Sequence, residues 1–151
     1  MTFKPADPFF ENRVRESFTR QRVMTTLGAQ FTRVSAGEVD IEMPYRSDLT
    51  QQHGYLHAGI VTTVLDSACG YAAFTLIPAG ATVLSVEFKT NLLAPAAGEL
   101  FFARGRVVRA GRSITVCEAD GWMRDGGDKK HVALMIATIK ILAGRSDYTG
   151  K

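Results

Sequence analysis

The 151 residues contain one tryptophan, two cysteines and three histidines, and each scarcity closes off an explanation. Two cysteines cannot build a disulfide framework. Cys69 and Cys117 lie in apolar stretches with no metal-type spacing, so they read as reduced core thiols. His53, His57 and His131 offer a single i,i+4 pair, and that pair sits in a glycine-containing loop. No metal site and no metal or redox cofactor is expected. No apolar run approaches the roughly 18 residues that a membrane span needs. Residues 1–8 lack the apolar core of a signal peptide, so the cytoplasm is the expected location, with no membrane partner. The Gly-x-Ser-x-Gly elbow of serine hydrolases is missing. The formal net charge is a modest +3 with no dense basic cluster, which argues against a nucleic-acid partner.

What is present reads as a single domain over residues 1–151, with 46% hydrophobic and 22% charged residues, enough for a real core. Asp7-Pro8 supplies a helix N-cap followed by proline at the first helical position. Phe10, Val14 and Phe18 recur every four residues and Gly28 is a C-terminal stop, which predicts an amphipathic helix over 8–26. Strand-like stretches follow near 29–35 and 38–45. In the second, Val39, Ile41 and Met43 alternate with Glu38, Asp40 and Glu42. A second helix is predicted over 58–76. It is apolar around most of its girth and therefore buried. Four further strand-like segments cover 82–93, 100–109, 113–124 and 131–142. The first puts Leu84, Val86 and Phe88 on one face and Ser85, Glu87 and Lys89 on the other. Residues 144–151 read as a loose tail. A meander of four consecutive antiparallel strands with a single apolar helix must hold that helix in its concave side. The expected class is α+β, a hot-dog arrangement in which an antiparallel sheet wraps a central buried helix.

Chemistry concentrates in residues 51–66, where a Gly/His loop runs into the apolar helix. Asp66 sits on that helix among small or weakly polar neighbours, Gly59, Thr62, Thr63 and Gly70. Burying an ionised acid is expensive without partners, and no basic residue lies within four positions. Asp66 is either a paired structural group or a reagent, and a carboxylate held out of water is what a general base or nucleophile near neutral pH requires. At the start of the helix, near His57-Ala58-Gly59, the first N–H groups lack internal acceptors and carry the positive end of the helix dipole. Small residues at 58 and 59 let a substrate carbonyl approach, as in an oxyanion hole. Ala58 and Asp66 are about 12 Å apart along the axis, so one chain cannot apply both to one carbonyl. Two antiparallel copies of the helix would set each Asp66 beside the other's N-terminus. The expectation is a two-fold homodimer with two shared sites. Gln51 is either a polar loop residue or a holder of water or a substrate carbonyl. His57 reads as a structural group that fixes the loop through Gly54 or Tyr55.

Gln51-x2-Gly54-x2-His57-Ala58-Gly59-x6-Asp66 resembles the Asn/Gln-x2-Gly-x2-His-Gly-Gly-x6-Asp/Glu signature of hot-dog acyl-CoA thioesterases. The nearest groups are the phenylacetate-degradation (PaaI-type) thioesterases and the 4-hydroxybenzoyl-CoA thioesterases. The run from Ser85 to Ala96 resembles their next strand, and Gly111-Arg112-Ser113 their following hairpin. The resemblance implies hydrolysis of an acyl-CoA, with CoA as part of the substrate and no separate cofactor. It implies that Asp66 is nucleophile or base, that the Ala58 N–H polarises the carbonyl, and that Gln51 orients the carbonyl or the water. Ser85 would assist from the Asp66 side, and His57 would belong to the catalytic loop. Gly59, Leu92, Leu93, Pro95, Arg109, Gly111, Arg112 and Ser113 would contact substrate, the later ones lining a CoA channel. Ala58 stands where glycine is usual, which keeps the backbone donor and narrows the pocket by a methyl. A homodimer, arranged as a dimer of dimers, is the implied assembly. The alternative is a non-catalytic acyl-CoA binding protein, against which Asp66 argues.

Overall fold

The computed structural model describes residues 3–145 and 147. The amphipathic N-terminal segment forms two helices, α1 (Phe10–Arg20) and α2 (Arg22–Leu27), where one was expected. The break is at Gln21, whose ψ of 89° leaves the helical region while its N–H returns to the Phe18 carbonyl. The side chain freed by this turn accepts a hydrogen bond from Ser67 on the central helix. Asp7 caps the turn before α1, accepting from the Phe9 N–H at 2.9 Å, so the helix begins at Phe10 and not at residue 8. Gly28 closes α2 in the left-handed conformation, φ 69°, a backbone state that only glycine adopts freely.

The remaining elements are β1 (Gln30–Ser35), β2 (Glu38–Pro44), the central helix α3 (Ala58–Phe74), β3 (Thr82–Leu92), β4 (Leu100–Ala110), β5 (Ile114–Asp125) and β6 (Asp128–Leu142). They build one six-stranded sheet in the order β1-β2-β4-β5-β6-β3, antiparallel throughout. The class is α+β, and the sheet wraps α3 in the hot-dog manner. The expected four-strand meander holds for β4, β5 and β6 alone. β3 lies on the far edge and pairs with β6, Thr82 opposite Leu142 and Leu92 opposite Ala133. A direct β3–β4 hairpin needs a short turn. Residues 93–99 instead run past the start of α3, with the Ala96 carbonyl accepting from the Leu56 N–H.

The expected alternation along β3 is also broken. A bulge between Ser85 and Glu87 inserts Val86 and inverts the face of every later residue. Ser85 and Phe88 flank Ile139 and Ala137, which are both fully buried on the helix side, whereas Leu84 pairs with Lys140. Leu84, Val86 and Phe88 are 56%, 58% and 45% exposed. They do not form a buried face in the single chain.

The core is the concave face of the sheet filled by α3. Val64, Leu65, Ala68, Cys69 and Ala72 are wholly enclosed. Helix and sheet come close at Gly105, where an added Cβ would lie 2.3 Å from the Ala68 backbone. The thiols are free and buried. Desolvation pushes Cys117 up to about 12, and it pushes Cys69 well above the ordinary thiol range, with the neighbouring Cys117 adding to the effect. The convex face carries ion pairs, including a two-bond Arg104–Asp40 pair and Arg106 between Glu118 and Asp120. Asp147, in the segment expected to be a loose tail, is tied to Arg20 at 2.7 Å and to Thr82 at 3.2 Å. Residue 146 and residues 148–151 of that expected tail lie outside the described residues.

Candidate active site

The loop before α3 is closed by its own backbone. The Gln51 N–H donates to the Tyr55 carbonyl at 2.9 Å, the Gly54 N–H donates to the Gln51 carbonyl at 3.0 Å, and the His57 N–H donates to the Leu49 carbonyl at 3.0 Å. Tyr45 donates its hydroxyl to the Gly54 carbonyl. Held this way, His57 is extended (φ −60°, ψ 139°) and serves as the N-cap of α3, its Nδ1 accepting from the Gly59 N–H at 2.9 Å. His57 therefore does not fix Gly54 or Tyr55, as the sequence suggested. It fixes the helix it precedes. An imidazole nitrogen accepts only when unprotonated, so the capping form carries its proton on Nε2.

This cap divides the donors at the helix start. The Gly59 N–H is consumed, and an added Cβ at Gly59 would press on His57 Nδ1 at 3.1 Å. The Ile60 and Val61 N–H groups both return to the His57 carbonyl. The Ala58 N–H makes no hydrogen bond to any described residue. One backbone donor is left at the positive end of a 17-residue helix, which is the minimal oxyanion site. It opens on a cavity of about 430 Å³ that also holds Gln51, Tyr55, Leu92, Leu93 and Pro95. Gln51 spends its side-chain carbonyl on the His53 N–H, which leaves its amide N–H₂ as the available group.

Asp66 lies two turns further along α3, half-buried rather than enclosed. Its Oδ1 accepts from the Ser85 hydroxyl across the helix–β3 gap at 2.6 Å. That bond orients the carboxylate, and Oδ2 makes no hydrogen bond to any described residue. The pair opens on a different cavity of about 390 Å³, which includes Ser17, Gln21, Gly70 and Tyr71. The chain thus places the backbone donor in one cavity and the carboxylate in another.

Arg109, Gly111, Arg112 and Ser113 form the exposed β4–β5 turn, which the Gly111 N–H closes onto the Ile114 carbonyl at 3.0 Å. Among the described residues neither arginine has an ion-pair partner. Leu92 stands opposite Ala133 of β6, and Ile114 opposite Lys140, seven residues or about 23 Å apart along the strand. The arginine turn and the Leu92–Pro95 cavity therefore occupy opposite ends of one chain's sheet. Sequence reasoning missed the wall formed by Ser17, Gln21 and Tyr71. Ser17 carried a signal, since it is a hydroxyl set in the apolar stripe of α1 beside Val14 and Phe18. Among the described residues, no group of three or more His, Cys, Asp and Glu side chains could hold a metal ion, and no helix is long and apolar enough to cross a membrane.

Over residues 53–130 the sequence matches the family model of the thioesterase superfamily. A solved structure of a thioesterase family protein from Silicibacter pomeroyi superposes with a TM-score of 0.88 at 52% identity, covering 89% of this chain and 99% of that one. The PaaI protein of the E. coli phenylacetic acid degradation operon superposes with a TM-score of 0.83 over 93% of this chain and 99% of its own, a likeness of fold at 18% identity. An esterase-named relative from Saccharolobus solfataricus is 30% identical over 114 residues, 75% of this chain and 81% of that protein.

Proposed function

The chain belongs to the thioesterase superfamily, and from that premise we propose that this thioester hydrolase cleaves an acyl-CoA into the free acid and CoA at sites shared by two copies. The observation that carries the reading is the split between the two cavities. The free Ala58 N–H and the Ser85-oriented Asp66 carboxylate lie about 12 Å apart along one helix and open into different spaces. Each half is chemically incomplete, and a two-fold partner with its α3 antiparallel supplies the missing half. The exposed, apolar edge strand β3 supports such a partner. An uncovered edge with Leu84, Val86 and Phe88 half-exposed is the kind of surface that a second strand covers. The same operation brings the arginine turn of one subunit to the Leu92–Pro95 end of the other, so that one CoA channel has apolar walls and a cationic mouth.

The chemistry follows from the parts. The thioester carbonyl oxygen accepts the Ala58 N–H, and the Gln51 amide holds the carbonyl or the incoming water. The partner subunit's Asp66, steadied by Ser85, acts on the carbonyl carbon as a base through water or as a nucleophile. In the base route Oδ2 takes a proton from water as the water oxygen bonds to carbon. The negative charge moves to the carbonyl oxygen, where the N–H and the helix dipole stabilise it. Collapse re-forms the carbonyl and breaks the C–S bond. The proton returns from Asp66 to the departing sulfur, giving acid and CoA thiol. The arginines hold the CoA phosphates through paired donors.

A thiol-release assay over aliphatic and aromatic acyl-CoAs tests the reading. Asp66→Asn is expected to lower kcat by about 10²–10⁴ with a milder effect on KM. Near-full turnover in that variant overturns the mechanism.

A further inference from the structure

The cavity beside Asp66 has one wall that its catalytic pair does not use. Ser17 of α1 is 6% exposed, and its Oγ lies 3.2 Å from the Tyr71 hydroxyl on α3. Two hydroxyls carry two protons, and the bond between them uses one. The other has no acceptor among the described residues. Gln21, exposed to the cavity by the break between α1 and α2, spends its side-chain carbonyl on Ser67 at 3.3 Å. Its amide N–H₂ likewise finds no described acceptor. Burial raises the Tyr71 phenol, so it stays a neutral donor near neutral pH. Phe74, Val83 and Leu84 add apolar surface to the same cavity. Two carboxylates, Asp66 and Asp147, face this space, and Arg20 is ion-paired with Asp147 at 2.7 Å.

We propose that Ser17, Tyr71 and Gln21 are the acyl-selecting residues and that they receive a neutral hydroxyl at the end of the acyl group remote from the thioester. The inference rests on the acyl-CoA hydrolase reading above. Spare donors on a part-buried wall favour an oxygen acceptor, and a saturated alkyl end would displace water from them and offer nothing in return. A carboxylate end would meet Asp66 in the same cavity, where Arg20 is already paired with Asp147, so the acceptor is uncharged. The N-terminal helices thereby become part of the substrate site, although they lie outside the matched segment 53–130.

The test compares kcat/KM for matched pairs of saturated and terminally hydroxylated acyl-CoAs, from butanoyl to octanoyl. At the length that reaches the wall, the hydroxylated member is expected to be favoured by about 10–100-fold. In a Ser17→Ala, Tyr71→Phe double variant that preference should fall to within about twofold. Replacing both hydroxyls together strands neither partner, so the fold should be kept, and circular dichroism checks this. Equal or reversed preference in the wild-type protein at every length overturns the selector while leaving acyl-CoA hydrolysis in place. A preference that survives in a folded double variant also overturns it. If the wild-type protein hydrolyses no member of any pair, the acyl-CoA reading itself fails.

Discussion

Ala58→Pro deletes one hydrogen-bond donor and little else. Ala58 is the first residue of α3, where a helix leaves its N–H unpaired and where proline is well tolerated. His57, the residue before it, has ψ 139°, already in the region that a following proline demands. The Ala58 N–H serves no described residue, so no internal bond is lost, and the change in stability should stay within about 1 kcal/mol. If that N–H stabilises the oxyanion, its loss should remove about 2.7–4 kcal/mol from the transition state, a fall of about 10²–10³ in kcat. Ala58→Gly keeps the donor and is the control for steric change; it should retain turnover. Thermal melts and thiol release on the three proteins give both quantities. The shared-site geometry is tested with the same variant. Mixing Ala58→Pro with Asp66→Asn chains in equal amounts makes half the dimers mixed, each with one intact and one doubly defective site. About a quarter of wild-type activity should therefore return. A folded Ala58→Pro enzyme with full kcat would remove the backbone donor from the mechanism. Mixtures that never exceed their parents after demonstrated subunit exchange would overturn the shared-site geometry.

Three further outcomes follow from the geometry. Arg112→Ala should raise KM for acyl-CoA and leave kcat nearly constant, with an effect that shrinks at high salt and vanishes for an acyl-pantetheine. Gly105→Ala should lower stability by about 2–3 kcal/mol in a denaturant melt, because the obstacle, at 2.3 Å from the new Cβ, is the Ala68 backbone and not a flexible side chain. Cys69 and Cys117 should resist thiol reagents in the folded protein at pH 8. Burial raises both thiols, Cys117 to about 12, so above the ordinary thiol value of about 8.5 the unfolded chain releases protons that the folded chain keeps. Their contribution to stability is complete below that value and declines as pH rises towards about 12 for Cys117, which melts across alkaline pH measure.

Local patterning by itself determined much of this protein. The apolar girth of residues 58–76 marked a buried helix, which the structure ends at Phe74; Gly28 marked a helix stop, and the turn residues around 95–98, 110–111 and 125–127 separated strands whose bounds fall within three residues of those expected. The signature from Gln51 to Asp66 was legible because helix period and the unpaired first turn are local properties. The 12 Å gap between donor and carboxylate followed from helix rise alone. Long-range pairing was not legible. The transfer of β3 to the far side of β6, the bulge at Val86 and the opposite placement of Leu92 and the arginine turn depend on contacts between residues some fifty positions apart, and nothing in a strand's own sequence names its neighbour. The role of His57 needed the tertiary structure for a similar reason. A histidine before a helix can fix a loop or cap an N–H, and what decided between them was the extended backbone that Leu49 and Tyr45 impose on that loop. The wall of Ser17, Gln21 and Tyr71 arises because α1 breaks at Gln21 and packs on α3, an arrangement set by burial between two helices and not by the propensity of either one.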